Sequence, residues 1–196
     1  FPPLRVRGKQ LTAPLADSIQ HAAITINSPD SSQFVSALLL IGIEAESDSA
    51  SPYITMTRKM LEQWGKGVRA FEERDWSAAA FWYEYVAIHG GQLTLGGLTD
   101  SELQGDRMVV DVFRRFGVQT RFEKDGVIIE KRGKTSHWPL VMRFDKCPDL
   151  YPAIAITCRI LHVPLIALGT ATQRLKESDR LQSVKEQKTY SDHRIA

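Results

Sequence analysis

Two stretches of this chain leave it few ways to fold. Residues 76–88 carry Phe81, Trp82, Tyr83, Tyr85 and Val86 and are apolar almost all round, and residues 150–162 are nearly as apolar. A helix lying on a surface keeps a polar face, so helices without one belong in an interior. Asp75 and Asp149 stand in the N-cap positions, Gly90-Gly91 ends the first helix, and Pro152 occupies the first turn of the second, where proline is tolerated. After each of these helices comes a short strand, residues 92–95 and 165–168, and then a further helix. Repetition of helix, strand and helix implies a pseudo-symmetric α/β domain. A doubly wound sheet would bury its strands and leave its helices amphipathic. Here the helices are the more apolar elements, which places helices inside and strands outside.

The remaining elements follow the same local logic. Leu4 to Arg7 and Ile24 to Asn27 alternate as short strands. A helix is expected to start at Ser31 or Ser32, ahead of the apolar run from Phe34 to Ile43. Pro52-Tyr53 opens another, with Ile54, Met60, Leu61 and Trp64 at helical spacing and a stop at Gly65. Gly105-Asp106 leads into a helix over 109–116. Asp125-Gly126, between 118–122 and 127–131, signals a hairpin, and 140–144 is a further strand.

Composition excludes several classes of function. Over 196 residues the formal net charge is +2, and no dense Lys/Arg block suggests a nucleic-acid partner. No apolar run approaches transmembrane length. Cys147 and Cys158, the only cysteines, lack metal-ligand spacing and read as free thiols of a cytoplasmic protein. The histidines are scattered and suggest no metal site. The first residue is Phe1, which suits a processed product or a fragment.

Chemistry concentrates in Arg174-Leu175-Lys176-Glu177-Ser178-Asp179-Arg180, three cations and two carboxylates in seven residues. On a helix, Lys176 and Arg180 would share one face and repel. That arrangement suits an anionic ligand, and the adjoining carboxylates suit proton transfer. The helix start at Ser31-Ser32-Gln33 offers two hydroxyls, an amide and free backbone N–H groups to a phosphate. Asp149 is either a simple cap or, desolvated near cations, a general base.

In order, Ser31-Ser32-Gln33-Phe34, Pro52-Tyr53-Ile54, Gln104-Gly105-Asp106, Pro148-Asp149, Leu175 to Arg180 and Asp192-His193-Arg194 resemble the 5-enolpyruvylshikimate-3-phosphate synthase family. The resemblance implies repeated βαβαββ units in two domains around a closing cleft. Residues 1–73 would then be the remaining part of a shikimate-3-phosphate-binding domain, and 74–196 most of the second. It implies enolpyruvyl transfer from phosphoenolpyruvate to the 5-hydroxyl of shikimate 3-phosphate, in the cytoplasm, by a monomer with no cofactor or metal. Asp149 would take the hydroxyl proton, and Glu177 would be a second proton-transfer carboxylate. Ser31, Ser32, Gln33, Ser51, Tyr53, Thr172 and Lys176 would hold substrate, and Arg180 and Arg194 would grip phosphoenolpyruvate.

This chain departs from the family pattern in places. Ala50 stands where the Ser-x-Pro-Tyr motif has serine, and Thr172 replaces an asparagine. The spacings from Ile43 to Pro52, from Gly65 to Asp75 and from Arg180 to Asp192 are short. The expectation is a fragment, inactive alone, whose segments are joined across missing loops. The rival readings are the sister transferase acting on UDP-N-acetylglucosamine and a non-catalytic anion-binding relative.

Overall fold

The computed structural model describes residues 24–26, 32–47, 51–67, 73–174, 176 and 178–186. Ser31, Glu177 and Arg194 lie outside these, as do the strand expected over 4–7 and the Asp192-His193-Arg194 motif. The chain divides into two compact units, Phe1–Ala50 and Ser51–Ala196.

In the first unit, β1 (Ile24–Ile26), α1 (Ser32–Leu40) and β2 (Ala45–Ser47) form a βαβ crossover. The strands are parallel, with Ile24 opposite Ala45, and parallel neighbours require such a connection. Val35, Leu39 and Ala45 are buried. The short strand β2 was not expected, because Ala-Glu-Ser carries no alternating apolar signal.

The second unit begins with α2 (Pro52–Gly65) and α3 (Trp76–His89). As expected, Asp75 caps α3, accepting a hydrogen bond from the Ser77 N–H at 2.8 Å, and Gly90 ends it at φ 79°. The three strands β3 (Gln92–Gly96), β4 (Val118–Glu123) and β5 (Gly126–Lys131) form an antiparallel sheet in the order β3, β5, β4. The hairpin is present, but its turn is Lys124-Asp125, and Gly126 is already paired with Glu123. Gly126 has φ 153°, and a Cβ there would collide with the Leu95 carbonyl, so glycine is required where three strands close up. Between β3 and β4, a 3₁₀ turn over Gly105–Met108 runs into α4 (Val109–Arg114).

A second βαβ crossover follows: β6 (Leu140–Arg143), α5 (Tyr151–Ile160) and β7 (Leu165–Leu168), with β6 and β7 parallel. The short helix α6 (Arg180–Glu186) closes the described chain. The order β, α, β, α therefore occurs at both ends of the described chain, in keeping with a repeated unit. Along β6, Leu140 and Met142 are buried while Val141 and Arg143 are exposed, so this sheet turns one face outward.

Helix α3 packs against α4, α5 and the antiparallel sheet. The core is Trp76, Tyr83, Val86, Phe113, Phe116, Ile129, Phe144, Leu150 and Ile154, with edge-to-face pairs Tyr83–Phe113 and Phe144–Tyr151. Each fully buried large side chain contributes about 1.5–3 kcal/mol, against about 1 kcal/mol for a helix cap, so packing dominates. Cys147 and Cys158 are buried free thiols.

Two expectations need correction. Helix α3 is buried on one face only: Phe81, Trp82 and Tyr85 are 53%, 52% and 51% exposed. A helix is covered only where a neighbour packs on it, and the described elements of this unit occupy a single side. Lys176 and Arg180 also do not share a helix face. The Asp179 carboxylate accepts the Gln182 N–H at 3.1 Å, so α6 starts at Arg180 and Lys176 precedes it.

Candidate functional site

The parallel strands β6 and β7 place two loops side by side. One leaves β6 and reaches Asp149 in the 3₁₀ turn Pro148–Leu150; the other leaves β7, forms the 3₁₀ turn Ala171–Arg174 and continues to Lys176 and Arg180. The carboxyl ends of parallel strands are where open α/β sheets bind ligands. The loops approach so closely that a Cβ on Gly169, at φ 64°, would lie 2.7 Å from Asp145 Oδ1. At the far end of α6, the Arg159 guanidinium of α5 donates to the Val184 carbonyl at 2.9 Å, which holds that helix and hence Arg180 in place.

Asp149 does not cap a helix. Its carboxylate turns to three partners from distant parts of the chain. Arg180 Nη1 donates to Oδ1 at 2.6 Å, Lys176 Nζ lies 3.4 Å from the same oxygen, and the Tyr53 hydroxyl lies 3.1 Å from Oδ2. Burial acts to raise the Asp149 pKa. The Arg180 hydrogen bond and the charges of Lys176 and Arg180 outweigh it and hold the carboxyl below its usual range. Asp149 is therefore ionised at neutral pH.

Behind Asp149 stands a carboxylate to which the sequence reading assigned no role. Asp106 is 1% exposed. It accepts from the Tyr53 hydroxyl, 3.1 Å from Oδ2, and from the Ser77 hydroxyl at the start of α3. Burial first, then the charges of Asp149 and Asp75, push its pKa up to about 6 against the two hydrogen bonds. Tyr53 thus bridges two carboxylates with one hydroxyl proton. Burial and both negative charges raise its own pKa, so it remains a donor. The available signal for Asp106 was its place in the Gln104-Gly105-Asp106 motif, just ahead of Arg107 and the apolar Met108-Val109-Val110. Gln104 secures this segment: its Oε1 accepts the Trp76 N–H at 3.0 Å, and its Nε2 donates to the Arg74 carbonyl at 2.7 Å.

Of the expected site residues, Tyr53, Asp149, Lys176 and Arg180 come together. Thr172 is near them in sequence, and its Oγ1 is a buried atom with no hydrogen-bond partner among the described residues. Ser51 is buried at the start of α2, but its side chain makes no cap hydrogen bond. Ser32 and Gln33 open α1 in the first unit. Among the described residues, no group of three His, Cys, Asp or Glu side chains could hold a metal ion, and no helix is long and apolar enough to cross a membrane.

Two cations and an ionised carboxylate on loops after adjacent parallel strands, backed by a half-buried tyrosine and a second, buried carboxylate, define an α/β protein suited to holding an anion beside an acid–base group. The family model of EPSP synthase (3-phosphoshikimate 1-carboxyvinyltransferase) matches residues 66–187, and the chain belongs to that family. It is similar to the 3-phosphoshikimate 1-carboxyvinyltransferase of Bacteroides fragilis (strain ATCC 25285), with 31% identity over 94% of this chain and 50% of the relative. It is also similar to the proteins of that name from Clostridium kluyveri, at 32% over 79% of this chain and 42% of the relative, and from Methanoregula boonei, at 24% over 92% and 47%. The chain spans about half the length of the curated relatives it matches.

Proposed function

We propose that the whole protein to which this chain contributes transfers the enolpyruvyl group of phosphoenolpyruvate to the 5-hydroxyl of shikimate 3-phosphate and releases phosphate. The observation that carries this reading is the Asp149 carboxylate, ionised and held by Tyr53, Lys176 and Arg180 in a chain of the EPSP synthase family. In the free site the two cations are engaged with Asp149. Anionic substrates compete for them, and a carboxylate released from its cations is a stronger base. Asp149 then takes the proton of the attacking hydroxyl, while Tyr53 keeps its Oδ2 oriented. Lys176 turns to shikimate 3-phosphate. Arg180, whose planar fork suits a carboxylate or phosphate, turns to phosphoenolpyruvate.

The rest of the proposal follows the family resemblance. Glu177 serves the second proton transfer, and Arg194 joins Arg180 on phosphoenolpyruvate. Ser31, Ser32, Gln33, Ser51 and Thr172 hold shikimate 3-phosphate. Residues 1–73 and 74–196 contribute to two domains of a cytoplasmic monomer. The test is phosphate release with shikimate 3-phosphate and phosphoenolpyruvate, run on the whole protein and on this chain alone. Turnover is expected from the whole protein and not from the chain. The reading fails if the whole protein releases no phosphate, or if UDP-N-acetylglucosamine replaces shikimate 3-phosphate as acceptor.

A further inference from the structure

Gln173 sits in the 3₁₀ turn after β7 and is fully buried at 0% exposure. Its Nε2 donates to the Pro148 carbonyl at 2.8 Å across 25 positions of sequence. Its own N–H closes the turn on the Thr170 carbonyl at 3.0 Å. The Pro148 carbonyl also accepts the Tyr151 N–H that starts α5, so the Gln173 amide grips the same atom that sets the Asp149 turn. Packing alone does not explain a glutamine here. Its Oε1 is buried with no hydrogen-bond partner among the described residues, a cost that methionine of similar length would avoid. We infer that Gln173 is a positioning residue, whose amide ties the carboxylate loop to the cation loop and fixes Asp149 against Lys176 and Arg180. This rests on the proposed role of Asp149 only for its consequence in turnover, since the tie is a property of the chain itself.

The physical reason is leverage. Asp149 is the residue after the gripped carbonyl, and Lys176 is three residues after Gln173. A 2.8 Å bond between the roots of the two loops leaves little play at their tips. Without it, the Asp149 turn and the cation loop lean, among the described residues, on the ion pairs of Asp149 with Lys176 and Arg180, and these must order long side chains against water.

The test substitutes Gln173→Met, which keeps the length and removes the donor. Exchange of the Arg180 guanidinium protons with water, read by NMR at neutral pH, is expected to speed up about threefold or more as the pair with Asp149 loosens. A remote core truncation on β5, Ile129→Val, is the control, because it lowers the melting temperature without touching the tie and should leave Arg180 exchange unchanged. If Gln173→Met does not fold, Gln173→Asn replaces it, its amide one methylene short of Pro148, with the same expectation. Wild-type Arg180 exchange in the folded variant overturns the inference, whether or not its melting temperature falls. In the whole protein, the variant is expected to lower kcat about tenfold or more with both KM values nearly constant. If the wild-type protein shows no turnover, the proposed function fails and the NMR result on the tie still stands.

Discussion

Asp106→Asn should change how the protein's stability depends on pH, in a direction opposite to that of an ordinary paired carboxylate. The folded pKa of Asp106 is raised from 3.8 to about 6. Below pH 4 the group is protonated in both the folded and unfolded states. As pH rises from about 4 to 6 the unfolded chain ionises freely while the folded chain resists, so stability is lost across that window and is constant above it. Each pH unit is worth about 1.4 kcal/mol, which makes the loss about 3 kcal/mol. Asparagine fills the same space and carries no charge, so the variant lacks this loss. It does give up one acceptor oxygen, a roughly constant cost of about 1–3 kcal/mol, because Tyr53 and Ser77 both donate to the carboxylate. The variant should therefore be the less stable protein at pH 4 and draw level with, or pass, the wild type by pH 7. Urea unfolding followed by tryptophan fluorescence, in half-unit steps from pH 4 to 8, measures this. Only the difference between the two proteins is used, so titrating groups remote from Asp106 cancel. Parallel stability curves would show that Asp106 ionises normally and that the buried-carboxylate argument is wrong.

Glu84 on α3 is half-buried, and desolvation pushes its pKa up to about 7; Glu84→Gln should therefore gain stability relative to wild type as pH rises from about 4.5 to 7, with the gain absent at pH 4 in the same urea series. In the whole protein, Asp149→Asn should lower kcat by about 100-fold or more with little change in substrate binding, since the amide cannot take a proton. Arg180→Lys should instead act mainly on the KM for phosphoenolpyruvate, because the charge stays and the fork is lost. Equal changes in kcat and KM for the two variants would remove the distinction between base and clamp. Gly169→Ala should destabilise the second unit by about 1–2 kcal/mol in thermal unfolding, from a positive φ and a clash with Asp145; an unchanged melting temperature would mean that the two loops do not approach as described.

Local interactions decided what could be read from the sequence alone. Helix α3 starts at the Asp75 cap and ends at Gly90, and the hairpin forms beside Asp125-Gly126, because capping and turn bonds span only a few residues. The all-apolar helices implied helices within and strands without, and the ordered motifs named the family before any geometry was known. The same reasoning misplaced Lys176 on a helix face and buried α3 on every side, because a cap and a neighbouring element settle those matters. The site was legible in its residues and not in its connections. Tyr53 meets Asp106 across 53 positions and Asp149 across 96, and Ser77 meets Asp106 across 29. Lys176 and Arg180 converge through Asp149 and not through helical spacing. Ionisation belongs to this second category as well. Two aspartates of the same ordinary pKa are driven apart, Asp106 upward by burial and Asp149 downward by two cations. Desolvation and charge act through space, and only the folded chain determines which groups share it.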